Sequence, residues 1–514
     1  MPGLDRKILD TIDHIRVNDR VKIDLRTDFI LAPHYNAVFV NAGEEVWARV
    51  QELLRSGNYQ PELPHTISVP KGRGFTRPGS ILSPLDRFVY QALIDSASPA
   101  LEQQLDRTRT FSHVLVQESG GMFEPAHQSW ETFQGKIAEL CVTDGYIVKA
   151  DIANYFERIP QHHLVNLMSA AACAPEVVNL MEEMLLAFQE RDSFGIVQGV
   201  FPSDVLGNFF LSDFDAYCDL HGIPSARYVD DIYLHFTTEV GAKKGLIELI
   251  ERLRQNGLHL NEYKSGIRTT HEVFREETEV DELFDAAREE VKGELVGEVV
   301  SGYGFTAEWE LEEWEEPEEE DIQLAATERL YGAIEQYPEQ SDKIEKFCLP
   351  LLRAAGSDFA VEAVLRGLIA KPHLTRLHHA YLSRFVGENP ELVNSLERLA
   401  QGPELVTDYQ RMYILGALFN GRNITRITIN MAQQWLENSR ISKEARAMAA
   451  VFAAKHGNPN QKRAVRLAYE NEPSAYVRGA ILYASRYFPS AEKKTCKKAW
   501  GAHNIVNSLI AQAM

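Results

Sequence analysis

The sequence predicts an α+β domain followed by an all-α helical-repeat domain. Three observations carry this reading. Two short apolar stretches, Tyr146-Ile147-Val148 and residues 225–236 (SARYVDDIYLHF), read as extended chain and carry carboxylates at a strand end and at a hairpin tip. Amphipathic helices separate them, the clearest at 174–191 (APEVVNLMEEMLLAFQER). From about residue 322 onward, helix follows helix with short turns, and a weak internal repeat is visible.

Length and composition set the bounds. A chain of 514 residues is too long for one ordinary core, so two or three domains are expected. Hydrophobic content of 45% with 25% charged residues is that of a soluble globular protein. The five cysteines are scattered without a C-x-x-C pair, which argues against a zinc site or a disulfide framework and fits a reducing cytoplasm. The first twenty residues are charged and lack the apolar centre of a signal peptide, and no apolar run reaches the ~18 residues of a membrane span. A net charge of −21 is unlike that of a typical nucleic-acid binder, yet an acidic shell around a local basic surface is compatible with polymerase chemistry.

Taken in order, residues 1–60 are mainly helical, with EEVWARVQELLRSG ending at Gly57. In the next stretch, strand-like Ile67-Ser68-Val69-Pro70 leads into a basic loop at Lys71-Gly72-Arg73-Gly74, and Phe75-Thr76-Arg77-Pro78 returns as extended chain. Cations on such a two-stranded flap suit a polyphosphate. Ser83 and Pro84 fit the cap and first-turn preferences of a following helix. Residues 100–140 hold a Gly-Gly turn and several aromatics without an assignable motif. Asp151 falls at the end of the strand in DGYIVKADIANYF, where it is either an N-cap or a metal ligand. Gln198 and Gly199 form a loop that lets backbone approach a ligand closely, and Ser203 is expected to cap the helix DVLGNFFLSDFDAY.

Asp230 and Asp231 lie in the middle of an apolar run, where unpaired charges are expensive. A divalent cation resolves that conflict, since hard cations prefer carboxylate oxygens. The run EWELEEWEEPEEED at 308–321 reads as a solvated linker marking a domain boundary. Beyond it, Arg376, Arg411, Arg446 and Arg478 each open an apolar helix, at spacings of 35, 35 and 32 residues. Helix pairs at this period stack into solenoids like HEAT repeats. The histidines of this part lack metal-ligand spacing with acids near them in sequence.

Three acids in order, with a basic flap before them and a Gln-Gly loop between them, are the parts that two-metal phosphoryl transfer requires. Here the sequence resembles the reverse transcriptases, over about 61–270. VKADIANYF resembles the family's first metal motif, which implies Asp151 and the Ile152 carbonyl as ligands and Phe156 as a sugar gate favouring deoxynucleotides. YVDD resembles the second, implying Asp230 and Asp231 as catalytic metal ligands. PKGRGFTRP resembles the fingers motif, giving Lys71, Arg73 and Arg77 nucleotide-binding roles. QGVFPSDVLGN resembles the loop-helix supporting the nucleotide through Gln198, with Val200 where a proline often stands, and LNEYKSG places Lys264 near the leaving pyrophosphate.

The resemblance implies a reverse-transcriptase palm and fingers followed by a HEAT-like helical-repeat domain. The divisions expected are 1–60 helical, 61–270 fingers and palm, 271–321 acidic connector and 322–514 repeat domain. RPGSILSPLDRFVYQAL with a helical C-terminal part looks most like bacterial defence-associated, abortive-infection-type reverse transcriptases. That implies a cytoplasmic antiphage DNA polymerase using two Mg²⁺ ions, with Mn²⁺ able to substitute. It also implies dNTP substrates, a DNA product, an RNA template or partner non-coding RNA (or a protein hydroxyl as primer), and a homo-oligomer, trimer or hexamer. The competing reading is a catalytically vestigial RNA-binding or phage-sensing scaffold.

Overall fold

The structure, a computed structural model, describes residues 9–26, 28–116, 121–190, 192–302 and 319–514. The chain forms two compact units: Met1–Val69, Arg77–Phe274 and Ser442–Met514 make the first, Pro70–Thr76 and Arg275–Ile441 the second. The segment expected to form one repeat domain from 322 to 514 is therefore shared between them, and the split falls between the second and third of the four arginine-led helices. Most of the acidic run 308–321 lies outside the described residues.

The first unit is built on a four-stranded antiparallel sheet. Its strands are β3 (Tyr146–Asp151), β4 (Ser225–Tyr228), β5 (Asp231–Phe236) and β6 (Gly266–Thr269), in the order β4-β5-β3-β6. A separate two-stranded hairpin, β1 (His65–Pro70) and β2 (Thr76–Ile81), precedes it. The four inner residues of β5 are all buried because both faces of the sheet are covered. On one face, Phe133, Ile137 and Leu140 of the helix Ala126–Cys141 pack with Ile147, Ala226 and Tyr233. On the other, the helix Glu239–Gln255 comes so close that a Cβ at Gly245 would lie 2.1 Å from the ring of Phe236.

Local signals explain the flanking helices. Ser83 accepts a hydrogen bond from the Asp86 amide at 3.2 Å, with Pro84 in the first turn, as the sequence predicts. Ser203 does not cap. The helix Phe201–Phe210 starts two residues earlier, with Pro202 in its first turn, and the Ser203 hydroxyl instead meets the Tyr90 hydroxyl at 3.0 Å. The N-terminal helices are His14–Asp24, Pro33–Asn41 and Gly43–Ser56. The helices Ala475–Ala484 and Ile505–Gln512 pack on Pro33–Asn41, which ties the chain's last segment to its first.

The second unit consists, from Glu319 on, of α-helices joined by short turns and two single 3₁₀ turns. The fold brings acids to two of its histidines that lack them in sequence. His373 reaches Asp342 at 2.6 Å and His378 reaches Glu345 at 2.5 Å, while Lys371 pairs with Glu345 at 2.7 Å and with Asp342 at 3.2 Å. The lysine in their midst makes this an ion-pair network rather than a metal site. Among the described residues, no helix is long and apolar enough to cross a membrane.

His34 reports on the joint between the first and last segments. It is fully buried, with ring centroids 4.5 Å from Tyr35 and 4.7 Å from Tyr476, and neither of its ring nitrogens has a hydrogen-bond partner. Burial, and secondarily the charge of His65, lowers its pKa to about 3. The unfolded chain takes up this proton near pH 6.5 while the folded chain refuses it, so stability falls as pH drops from there towards 3. His34→Phe is expected to flatten the acid limb of the stability profile by one proton, about 1.4 kcal/mol per pH unit, as measured by denaturant melts at several pH values. An unchanged slope would show that His34 does not titrate with unfolding.

Candidate active site

Asp151 is the last residue of β3 and stands directly opposite Asp231, the first of β5. Val229 and Asp230 form the two-residue turn between β4 and β5, and the Asp230 carbonyl accepts from the Ile152 amide at 3.3 Å. The three predicted acids are thus brought together. Like charges directly opposite in an antiparallel pair repel. Burial, then the charges of Asp231 and Asp151, push the Asp230 pKa up to about 7.

Lys264 is the counter-charge. Its Nζ lies 2.7 Å from Asp151 Oδ2, and although partial burial opposes ionisation, the bond to Asp151 and the charges of Asp231 and Asp230 raise its pKa. The Ser265 hydroxyl accepts from the Asp151 amide at 3.0 Å and donates to the Asp151 carbonyl at 3.4 Å, while the Asn261 amide donates to the same carbonyl at 2.8 Å. The segment carrying Lys264 is thereby fixed to the strand end.

The acids fit a divalent cation by donor type and by their excess negative charge. They do not form a closed cage. Among the described residues, no group of three or more His, Cys, Asp or Glu side chains is drawn together so as to hold a metal ion.

The hairpin tip is strained. Val229 has φ 56°, a left-handed conformation that is costly for a β-branched residue, roughly 1–3 kcal/mol. Two hydrogen bonds hold it: the Val229 amide donates to Ser112 Oγ at 2.9 Å, and Arg227 donates to the Val229 carbonyl at 3.0 Å. Arg227 is 1% exposed and grips Asp215 through two bonds, 3.1 and 2.5 Å, while also donating to Asn208 and Thr110. Burial opposes its charge, but Asp215 more than compensates and raises its pKa. Residues 109–111 complete the support by pairing with the outer edge of β4, Arg227 N to Arg109 O at 2.7 Å and Phe111 N to Arg227 O at 3.1 Å.

The other predicted residues divide. Phe156 is half-buried beside Gly207, where a Cβ would come within 2.9 Å of its ring, and Tyr155 donates to the Gly207 carbonyl at 2.5 Å. Gly199, next to Gln198, has φ 83°, and a Cβ there would lie 2.6 Å from the ring of Phe29. Arg77 stacks on the same ring, 4.4 Å from its centroid, so Phe29 links Arg77 to the Gln198 loop. Asp24 fixes the helix after that loop by accepting from the Phe201 amide at 3.0 Å and from Arg87 at 2.7 Å. Lys71 and Arg73 are exposed on the hairpin tip, which belongs to the second unit, whereas the acids make their contacts within the first.

Residues 69–291 match the family described as Reverse transcriptase (RNA-dependent DNA polymerase). The chain carries a reverse-transcriptase domain. RNA-directed DNA polymerisation is the enzyme activity of that domain, and such domains generally use divalent metal ions. Among curated proteins, none matches the chain by sequence. Similar solved structures include apo telomerase from Candida tropicalis, at 10% identity and TM-score 0.31, with 76% of this chain and 73% of that one covered. Telomerase from Candida tropicalis in complex with a TWJ fragment of telomeric RNA gives 11%, 0.32, 72% and 64%. The corresponding Candida albicans complex gives 10%, 0.31, 76% and 70%.

Sequence reasoning missed Ser112, Asn208, Asp215 and Arg227 as supports of the reverse-transcriptase hairpin. Arg227, a cation inside an otherwise apolar strand, was the available signal; Ser112 lies in the stretch where no motif stood out. Loss of the Ser112 hydroxyl removes one of the two bonds on the strained peptide. Ser112→Ala is expected to lower kcat for dNTP incorporation roughly tenfold, and adding Val229→Gly to restore most of it, because glycine adopts this φ without strain. A double variant no more active than Ser112→Ala would show that the strained peptide is not what Ser112 controls.

Proposed function

We propose that this chain synthesises DNA by metal-assisted nucleotidyl transfer from dNTPs, with Asp151, Asp230 and Asp231 as the acidic centre. The observation that carries the reading is the register that sets Asp151 against Asp231, with Asp230 at the adjoining turn and Lys264 paired with Asp151 at 2.7 Å. Two Mg²⁺ ions, or Mn²⁺ in their place, would supply charge neutralisation and a lowered pKa for the attacking hydroxyl. The three carboxylates and the Ile152 carbonyl would hold them. Lys264 offers a proton and a positive charge beside the leaving pyrophosphate. Lys71, Arg73 and Arg77 would receive the triphosphate, and Gln198 the nucleotide. Phe156, held by Gly207, narrows the space for a 2′-hydroxyl.

The motif RPGSILSPLDRFVYQAL, with helices following the polymerase core, supports a role in bacterial antiphage defence. In that role the enzyme works in the cytoplasm as a homo-oligomer, with a repeat-like helical part. It starts either from a protein hydroxyl without template or from a partner non-coding RNA.

The test is incorporation of labelled dNTPs by the purified protein with Mg²⁺, both without nucleic acid and on an RNA template with a DNA primer. Asp151→Asn and Asp230→Asn are expected to lose at least about a hundredfold in rate, and Asp231→Asn less. Phe156→Ala is expected to admit ribonucleotides. Full incorporation by Asp230→Asn would remove the site assignment, and full antiphage protection by an inactive Asp230→Asn would favour the scaffold reading.

A further inference from the structure

The chain's charge is distributed very unevenly. Residues 455–512 carry ten Lys and Arg against three Glu, leaving 43 basic against 71 acidic residues elsewhere. This basic segment belongs to the same compact unit as the reverse-transcriptase sheet.

Seven of these basic residues lie on two neighbouring helices. The helix Ser490–Gly501 carries Lys493, Lys494, Lys497 and Lys498, spaced so that the pairs 493/497 and 494/498 stack along one side, while Cys496 and Trp500 are buried. The helix Pro459–Asn471 lies beside it. Tyr469 and Trp500 stack with centroids 3.9 Å apart, and Arg466 reaches Glu492 at 3.6 Å. Arg463, Lys494 and Lys498 are exposed, and among the described residues the four lysines take part in no ion pair. Lys494, Lys497 and Lys498 line an open depression of about 600 Å³ that continues onto Ser508 and Gln512.

We propose that this surface binds the sugar-phosphate backbone of single-stranded nucleic acid that the reverse-transcriptase domain copies or makes. The inference rests on the polymerase reading above. Unpaired lysines on a regular helix face are mobile point charges suited to phosphates rather than to reading bases. With the remainder of the chain strongly acidic, a polyanion is repelled elsewhere and attracted here.

The test uses the full chain and the triple variant Lys494→Gln/Lys497→Gln/Lys498→Gln, with fluorescein-labelled oligodeoxythymidylate and oligouridylate as probes. Three lost phosphate contacts reduce the salt slope of single-strand binding by about 2. Between about 50 and about 200 mM salt, wild type should therefore lose roughly 20-fold more affinity than the variant. The probe more affected identifies product DNA or template RNA as the occupant. Equal affinity and slope for wild type and variant overturn the proposal, as does a changed oligomeric state with unchanged binding, which would place the lysines against a second copy. Incorporation of dNTPs by wild type is measured in parallel. Activity with no lysine effect rejects the surface alone, whereas a lysine effect without activity rejects the polymerase reading and leaves the surface standing.

Discussion

The buried ion pair between Arg227 and Asp215 is the interaction on which the hairpin bearing Asp230 depends. Both residues are almost wholly excluded from water, 1% and 2% exposed, so each charge requires the other. Arg227 also extends to the carbonyl of Val229, whose left-handed backbone orients the turn bearing Asp230. Removing one member of such a pair costs more than the pair contributes, about 3–5 kcal/mol, because it leaves an uncompensated charge in the interior. The network therefore makes the hairpin's geometry a property of the folded core rather than of the turn alone.

Electrostatics at the site oppose the folded state locally. Three carboxylates converge with Lys264 against one of them, and Asp230 holds its proton up to about pH 7 in the protein alone. An arrangement that is unfavourable without a ligand and favourable with a cation is the usual mark of a functional site rather than of a stabilising one. The same principle reads differently in the second unit. There Asp342 and Glu345 meet Lys371, His373 and His378, the carboxyls are held below their ordinary range despite burial, and no strain is left for a ligand to relieve.

Much of the site was legible in the sequence because it is written in local patterns. An acid at the end of an apolar strand, two acids in a tight hairpin and a Gln-Gly loop before a helix each occupy a few consecutive residues. The supports were not legible, since they join residues on different elements: Ser112 to Val229, Arg227 to Asp215, Asp24 to Phe201. Arg227 pairs with a carboxylate on a different element, and a sequence offers no register for that. The division of the helical part escaped for a similar reason. The arginine-led helices at 376, 411, 446 and 478 look alike, but burial of His34 between Tyr35 and Tyr476 commits the last of them to the polymerase unit. The −21 total likewise does not locate the basic residues on Ser490–Gly501.

In the proposed site Asp230, held by its supported hairpin, belongs to a cation-binding acidic centre. The most direct measurement is Mn²⁺ binding followed by electron paramagnetic resonance, comparing wild type with Asp230→Asn in the absence of nucleotide and nucleic acid. Bound Mn²⁺ is expected in the wild type and lost in the variant, with circular dichroism unchanged between the two. Equal Mn²⁺ binding by the two proteins would contradict it.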